Sequence, residues 1–520
     1  MTQKKAIFRR DSIRQARCVL FLFLFMLVVG GLSAATTQAP TPNEIDSYVL
    51  EAMKIWDVPG LSLALVKDGK VFLTRGYGVR ELGKPELVDE NTLFSLGSCS
   101  KAFGATAVAL LVDDGKVSWN DRVVDHLPWF RLDDPWLTRE MRIMDIMTHR
   151  SGTGQTNQLR PISKDRRDYL ERLRFAEPLH AFRQYRYSND MYILSGQLVE
   201  EVSGMTWDEF SRQRIWDLLA MNSTTSRIAR VRASANRSTP HIFKEKFVGS
   251  NKTPGPPLKH IVWDYADDIA VPSGGIASSA KDMAEWLKFH LGLKESAQVL
   301  KPETLQLLHA PHTVIHNPAW WWMIGEEKTA YAMGWVTGDF LGKTVVSHGG
   351  EAGGYNASVC FLPEEGFGIY VASNRNSFLP YLLVRHFIST FFNAGTDRDW
   401  NAEYMKSVNR QNEAAAKYES ARKAGRLAGI GPSLALEKYT GSYKNDFAGA
   451  LTVEIRENRL IATIAGREPL VLELDHWHID RFVDERGLFP TIYFNFDINE
   501  LGKVVGVDVS YFGKFRKSEK

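Results

Sequence analysis

The chain has 520 residues, 44% of them hydrophobic and 24% charged. That is the balance of a globular protein with a substantial core, and it excludes a collagen-like, coiled-coil or disordered chain. The formal net charge of +3 is unevenly placed. Lys4, Lys5, Arg9, Arg10, Arg14 and Arg17 stand against Asp11 in the first 35 residues, so the remainder is slightly acidic. A nucleic-acid partner is therefore not expected, since such proteins carry a basic face. Three cysteines exclude a disulfide scaffold.

The basic start leads into an apolar run from Val19 to Val29, then Ser33, Ala34 and Ala35. This predicts a signal peptide over 1–35, cleaved after Ala35, and an exported protein, periplasmic or extracellular. Left uncleaved, the segment would tether the protein to a membrane. Cys18 lies before the apolar core, the wrong place for lipid attachment. Cys99 and Cys360 read as buried free thiols.

Leu61 to Val66 and Val71 to Thr74 read as two strands around the turn Lys67 to Lys70. Residues 98–112 are apolar nearly all round and predict a buried helix, ended by Asp113, Asp114 and Gly115. Further helices are predicted over 283–291 and 379–392, and strands over 344–347, 357–362 and 368–372. Strands at both ends with helices between them suggest one sheet closed by the two ends of a domain, with a helical lobe inserted. Residues 401–426 read as a solvated linker helix. Alternation returns at Leu451 to Ile455 and Val504 to Val509, with turns at Glu457 and Asn458 and at Asn499 to Gly502. The expected organisation is a signal at 1–35, a main domain at 36–398, a helical linker at 399–430 and a small β domain at 431–520.

Ser98 and Lys101 begin the buried helix. Residues three apart share a helix face. A lysine desolvated by apolar surroundings loses proton affinity and can activate a serine hydroxyl. Ser-x-x-Lys also occurs at Ser278/Lys281 and Ser420/Lys423, but only Ser98 follows strands and Gly97 and precedes an apolar helix. Tyr187, Ser188 and Asn189 form a second motif. A phenol near a cationic amine can act as acid or base, and an amide can hold a substrate carbonyl. Tyr443/Asn445 and Tyr493/Asn495 share that spacing but lie in the β region. His348, Gly349 and Gly350 form a third. The glycines admit a ligand close to a strand backbone, and the histidine can donate a hydrogen bond to it.

In this order the three motifs resemble those of the serine β-lactamase and penicillin-binding protein superfamily, most closely its class C-like branch. Stretches at 58–64, 93–98, 146–152, 272–278 and 331–335 add to the resemblance, which spans about 44–395. It implies an α/β (α+β) fold of two lobes, an antiparallel sheet flanked by helices beside an all-helical lobe, followed by the small all-β domain. It implies that Ser98 attacks an amide or ester carbonyl to form an acyl-enzyme and that Lys101 and Tyr187 relay protons. Asn189 would contact the acyl side chain, and the N–H groups of Ser98 and Glu351 would form the oxyanion hole. Gly350 and His348 would line the substrate. Many members carry Lys-Thr-Gly or Lys-Ser-Gly where this chain has His348, Gly349 and Gly350. The loss of that lysine and hydroxyl favours a peptidase or esterase of small-molecule or peptide substrates over a β-lactamase. A non-catalytic binding protein is the rival reading.

No metal or other cofactor is expected. His309, His312 and His316 have no carboxylate or cysteine to complete a metal site. His149 is expected to order a loop. Trp320, Trp321 and Trp322 either line a cleft or pack a loop. A Gly-x-Ser-x-Gly elbow, the mark of the competing α/β-hydrolases, is not found.

Overall fold

The computed structural model describes residues 39–176, 181–241, 268–293, 298–316, 323–485 and 491–518. The signal-peptide expectation and Trp320 to Trp322 fall outside these. No described helix is long and apolar enough to cross a membrane.

The first helix, α1 (Pro42–Ile55), starts where Thr41 and Glu44 close a capping box with Pro42 just inside. It buries Ile45, Val49, Ala52 and Met53. Next come β1 (Gly60–Lys67), β2 (Lys70–Gly78) and β3 (Phe94–Ser95), then α2 (Ser100–Asp113). Helices α3 (Ile143–Met147), α4 (Arg166–Glu171) and α5 (Asn189–Ser203) belong to the helical lobe. The chain returns through β4 (Ala277–Ser278), which pairs with β3, and α6 (Ala280–His290). Strands β5 (Thr313–Val314), β6 (Glu327–Tyr331), β7 (Val336–Phe340), β8 (Lys343–Ala352), β9 (Tyr355–Leu362) and β10 (Phe367–Ser373) follow, then α7 (Leu379–Phe392).

The main sheet has eight strands in the order β2-β1-β10-β9-β8-β7-β6-β5. Residues 61–67 pair antiparallel with 367–373, so strands from the two ends of the domain lie side by side in the sheet. Neighbouring residues of a strand point to opposite faces. Gly368 of β10 packs against Leu287 of α6, whereas Phe367 stacks near Phe391 of α7. The sheet is thus covered on both faces, which is why β1 and β10 read as continuous apolar runs rather than alternating ones. Helix α2 is buried from Ser100 to Leu111, with Phe103 stacked on Trp286 of α6 at 3.7 Å. A buried helix carries everything on it into the interior, Lys101 included.

Strand β8 pairs with β7 only as far as Ser347. Its residues 348–352 pair with β9 alone. That stretch faces the single 3₁₀ turn Gly97–Cys99 ahead of α2.

Helix α8 (Trp400–Ala424) is polar except for the buried Trp400, Tyr404 and Val408. It leads to a closed antiparallel barrel: β11 (Gly441–Asn445), β12 (Gly449–Arg456), β13 (Arg459–Ile464), β14 (Leu470–His478), β15 (Arg481–Asp484), β16 (Ile492–Ile498), β17 (Val504–Val509) and β18 (Gly513–Lys517). The β12–β13 turn places Glu457 and Asn458 at φ 49° and 58°, the left-handed pair that a tight hairpin requires. Tyr439, Tyr443, Phe482 and Phe496 are buried in mutual edge contacts within the barrel core.

Candidate active site

Gly97 has φ 50°, and a Cβ there would sit 2.5 Å from the Glu351 nitrogen. Gly350 approaches as closely from the other side: a Cβ on it would lie 1.9 Å from the Leu96 oxygen and 3.1 Å from the Ser98 nitrogen. Two glycines therefore let β8 lie against the turn that carries Ser98. The Gly350 carbonyl is held by the Tyr381 hydroxyl at 3.1 Å and by Asn356 Nδ2 at 3.4 Å. The Glu351 side chain turns away and accepts from Asn376 Nδ2 at 2.7 Å. Only its backbone belongs to the site.

Lys101 is fully buried. Its Nζ lies 3.1 Å from Ser98 Oγ, 2.7 Å from Asn189 Oδ1 and 2.7 Å from the Ser273 carbonyl. Burial pushes its proton affinity well below the ordinary lysine range. A neutral amine has two N–H donors and one lone pair. Asn189 Oδ1 and the Ser273 carbonyl can only accept, so they take the two N–H groups. The lone pair is left for the Ser98 hydroxyl proton. Ser273 was not singled out from the sequence; a backbone acceptor leaves no mark on residue type.

The Tyr187 hydroxyl is hydrogen-bonded to Ser98, and its ring lies 4.8 Å from Lys101 Nζ. Burial holds the phenol well above its usual range, so it keeps its proton. Ser98, Lys101, Tyr187, Asn189, Gly350 and the Glu351 backbone thus converge on one place.

His348 is buried, and burial lowers it to about 3, so it is neutral. Its Nδ1 donates to the Gly349 carbonyl at 2.7 Å, which leaves Nε2 as an acceptor facing the Tyr331 hydroxyl at 3.2 Å. Apolar and aromatic packing removes the water that would stabilise the cation, and in this tautomer the ring has no N–H left to donate to a ligand, contrary to the expectation from the sequence.

His149 lies closer to the chemistry than its sequence context suggested. It is fully buried at φ 53°. Its Nδ1 accepts the Ser188 N–H at 3.1 Å, and its ring centre is 4.3 Å from those of both Tyr187 and Tyr331. Its Nε2 has no hydrogen-bond partner. Burial keeps it uncharged. It orders the 187–188 turn, and through it the phenol beside Ser98. Gln155 and Asn157 were also missed; their oxygens hold Asn189 Nδ2 at 2.9 and 3.3 Å.

The sequence look-alikes separate cleanly. Ser278 bonds the Thr224 hydroxyl inside β4. Lys423 pairs with Glu419 on the surface of α8. Tyr443 and Tyr493 sit on barrel strands. Cys99 donates to the His348 carbonyl at 3.1 Å, and burial raises its thiol to about 12, so it is inert. His309 pairs with His290 at 2.8 Å between Trp335 and Phe361. No group of three metal-ligating side chains occurs among the described residues.

This arrangement sits in a β-lactamase/transpeptidase-like fold, and sequence comparison agrees with that fold. The Beta-lactamase family profile matches residues 45–386, so the chain belongs to that family. A domain of unknown function, DUF3471, matches residues 426–518. Among curated relatives, the unguisins hydrolase ungD' of Aspergillus campestris is 29% identical, over 81% of this chain and 79% of that protein. Protein flp of Staphylococcus aureus is 25% identical, over 66% and 65%. In fold, the octameric penicillin-binding protein homologue from Pyrococcus abyssi superposes with a TM-score of 0.61. It has 20% identity and covers 91% of this chain and 99% of that one.

Proposed function

We propose that this protein is an exported serine hydrolase that cleaves amide or ester bonds through an acyl-enzyme on Ser98, acting as a peptidase or esterase. The observation that carries this reading is the placement of buried Lys101 Nζ 3.1 Å from the Ser98 hydroxyl, with its two other partners both acceptors. Ser98 Oγ attacks the substrate carbonyl while Lys101 Nζ takes its proton. Negative charge develops on the carbonyl oxygen between the N–H groups of Ser98 and Glu351. Tyr187, still protonated beside Ser98, gives a proton to the leaving oxygen or nitrogen. The Lys101 ammonium then returns the proton taken from Ser98, which restores the protonated phenol and the free amine. Water attacks the ester in a second passage through the same groups. Asn189 holds Lys101 through its Oδ1.

The neutral His348 argues against a β-lactamase. It supplies no cation for a β-lactam carboxylate, and Gly349 supplies no hydroxyl. One relative is named a hydrolase of unguisins, which accords with a hydrolytic reading.

The test is intact-mass measurement after exposure to a fluorophosphonate and to a penicillin, beside turnover of small esters and of N-terminal D-amino-acid amides. A Ser98-dependent phosphonyl adduct and turnover lost in Ser98→Ala are expected, with no stable penicillin adduct. Full turnover by Ser98→Ala would sink the mechanism.

A further inference from the structure

The barrel stands against one short piece of the hydrolase unit, residues 154–163. Gln158 Nε2 of that strap donates to the Tyr511 carbonyl at the β17–β18 turn, at 2.8 Å. The Glu468 N–H, in the β13–β14 loop, donates to the Pro161 carbonyl at 2.9 Å. Beside it, Gly466 lies so close to buried Ile162 that a Cβ would come within 2.3 Å of the Ile162 Cα. Arg172 Nη1, just beyond α4, donates to the Phe447 carbonyl at 3.1 Å. Two barrel loops thus grip one segment, and a third meets Arg172 beyond it.

The other side of the same strap grips the first turn of α5. Gln155 Oε1 accepts from Asn189 Nδ2 at 2.9 Å and from Asn157 Nδ2 at 2.9 Å, and Asn157 Oδ1 takes the Asn189 amide as well. The Thr156 N–H and hydroxyl each donate to buried Asp190 at 3.0 Å, and the Tyr169 hydroxyl donates to it at 2.6 Å. With its Nδ2 protons held by the strap, the Asn189 amide must present Oδ1 to Lys101. Flipping or withdrawing it would give Lys101 a different set of acceptors, and the lone pair would no longer be left for Ser98.

We infer that the C-terminal barrel is a positioning element of the active site: by clamping residues 154–163 it fixes the Asn189 amide and, through it, the orientation of Lys101. This rests on the reading of Ser98 as the nucleophile. The barrel itself touches no reacting atom. Its strap residues Gln155 and Asn157 are positioning residues, and the barrel loops act through them.

The test uses the full chain with Gly466→Ala, Gln158→Ala and, as control, Gly431→Ala, where an added methyl meets nothing within 4 Å. Fluorophosphonate labelling of Ser98 and steady-state hydrolysis of a p-nitrophenyl ester are followed, with hydrogen–deuterium exchange of 155–163. A misplacement of about 1 Å can cost on the order of 10²-fold. Gly466→Ala is expected to lower the labelling rate and kcat about tenfold or more, with KM within twofold. Exchange in the strap should rise, the melting temperature should match that of Gly431→Ala, and Gln158→Ala should follow in the same direction. In an Asn157→Ala background Gly466→Ala should add little, because both act through one contact. Parent-like labelling and strap exchange in Gly466→Ala would overturn the inference, and so would full additivity with Asn157→Ala. A parent protein that does not label at Ser98 overturns the hydrolase reading instead. Changed strap exchange in Gly466→Ala would still show the clamp in that case.

Discussion

Lys101 is an unfavourable residue for stability and a useful one for chemistry. A lysine in the unfolded chain has its ordinary proton affinity, while burial in the folded chain holds that of Lys101 well below it. Unfolding therefore takes up a proton, and stability rises with pH between the folded and unfolded pKa values. Lys101→Met should raise the melting temperature near neutral pH, flatten that pH dependence, and slow Ser98 labelling at least about 10²-fold. Thermal unfolding across pH, run beside fluorophosphonate labelling, checks both halves. In the parent, kcat/KM should rise with pH as Lys101 loses its proton. His149 makes a separate case. His149→Phe keeps the ring packing on Tyr187 and Tyr331 but loses the acceptor for the Ser188 N–H. Steady-state kinetics should show kcat reduced about tenfold or more, with KM little changed.

At the scale of elements, the site is the meeting of one strand with one turn. The close approach of β8 to Leu96–Ser98 depends on Gly350 having no side chain. Gly350→Ala must push the strand away and spread the two N–H groups apart. Loss of oxyanion stabilisation on the order of 10²–10³ in kcat is the expected outcome, measured on a p-nitrophenyl ester. Near-parent kcat would mean that Glu351 N–H does not serve the oxyanion. The motif around His348 was legible because two glycines after an apolar strand-like run let a ligand approach the backbone closely. The role of its imidazole was not, because both its partners, the Gly349 carbonyl and Tyr331, become known only once β6 and β8 are placed.

At the scale of the whole molecule, α8 joins the sheet unit to the barrel and is anchored near its start. Trp400 is buried with Arg398 stacked on it at 3.9 Å, and Asn401 accepts from Trp56 Nε1 at 2.9 Å. Trp400→Ala should cost about 3–5 kcal/mol, read as a lower urea midpoint with kcat retained well below the transition. The middle of α8 is solvated, and its last turn docks on the barrel, where Arg422 donates to the Tyr493 hydroxyl at 3.0 Å and pairs with Glu485.

Periodicity and composition by themselves determined the elements: the all-apolar helix after Ser98, the continuous apolar strands of a doubly covered sheet, and the alternation of the barrel. They also singled out Ser98 with Lys101, since a serine and lysine three apart at the head of a buried helix can face each other. Only the tertiary structure decided which protonation states the site holds, because desolvation of Lys101, Tyr187, His149 and His348 comes from walls contributed by segments far apart in the chain. It alone revealed Ser273, Gln155 and Asn157 as partners of the site, since a backbone carbonyl and two ordinary surface amides acquire meaning only from what the fold sets beside them.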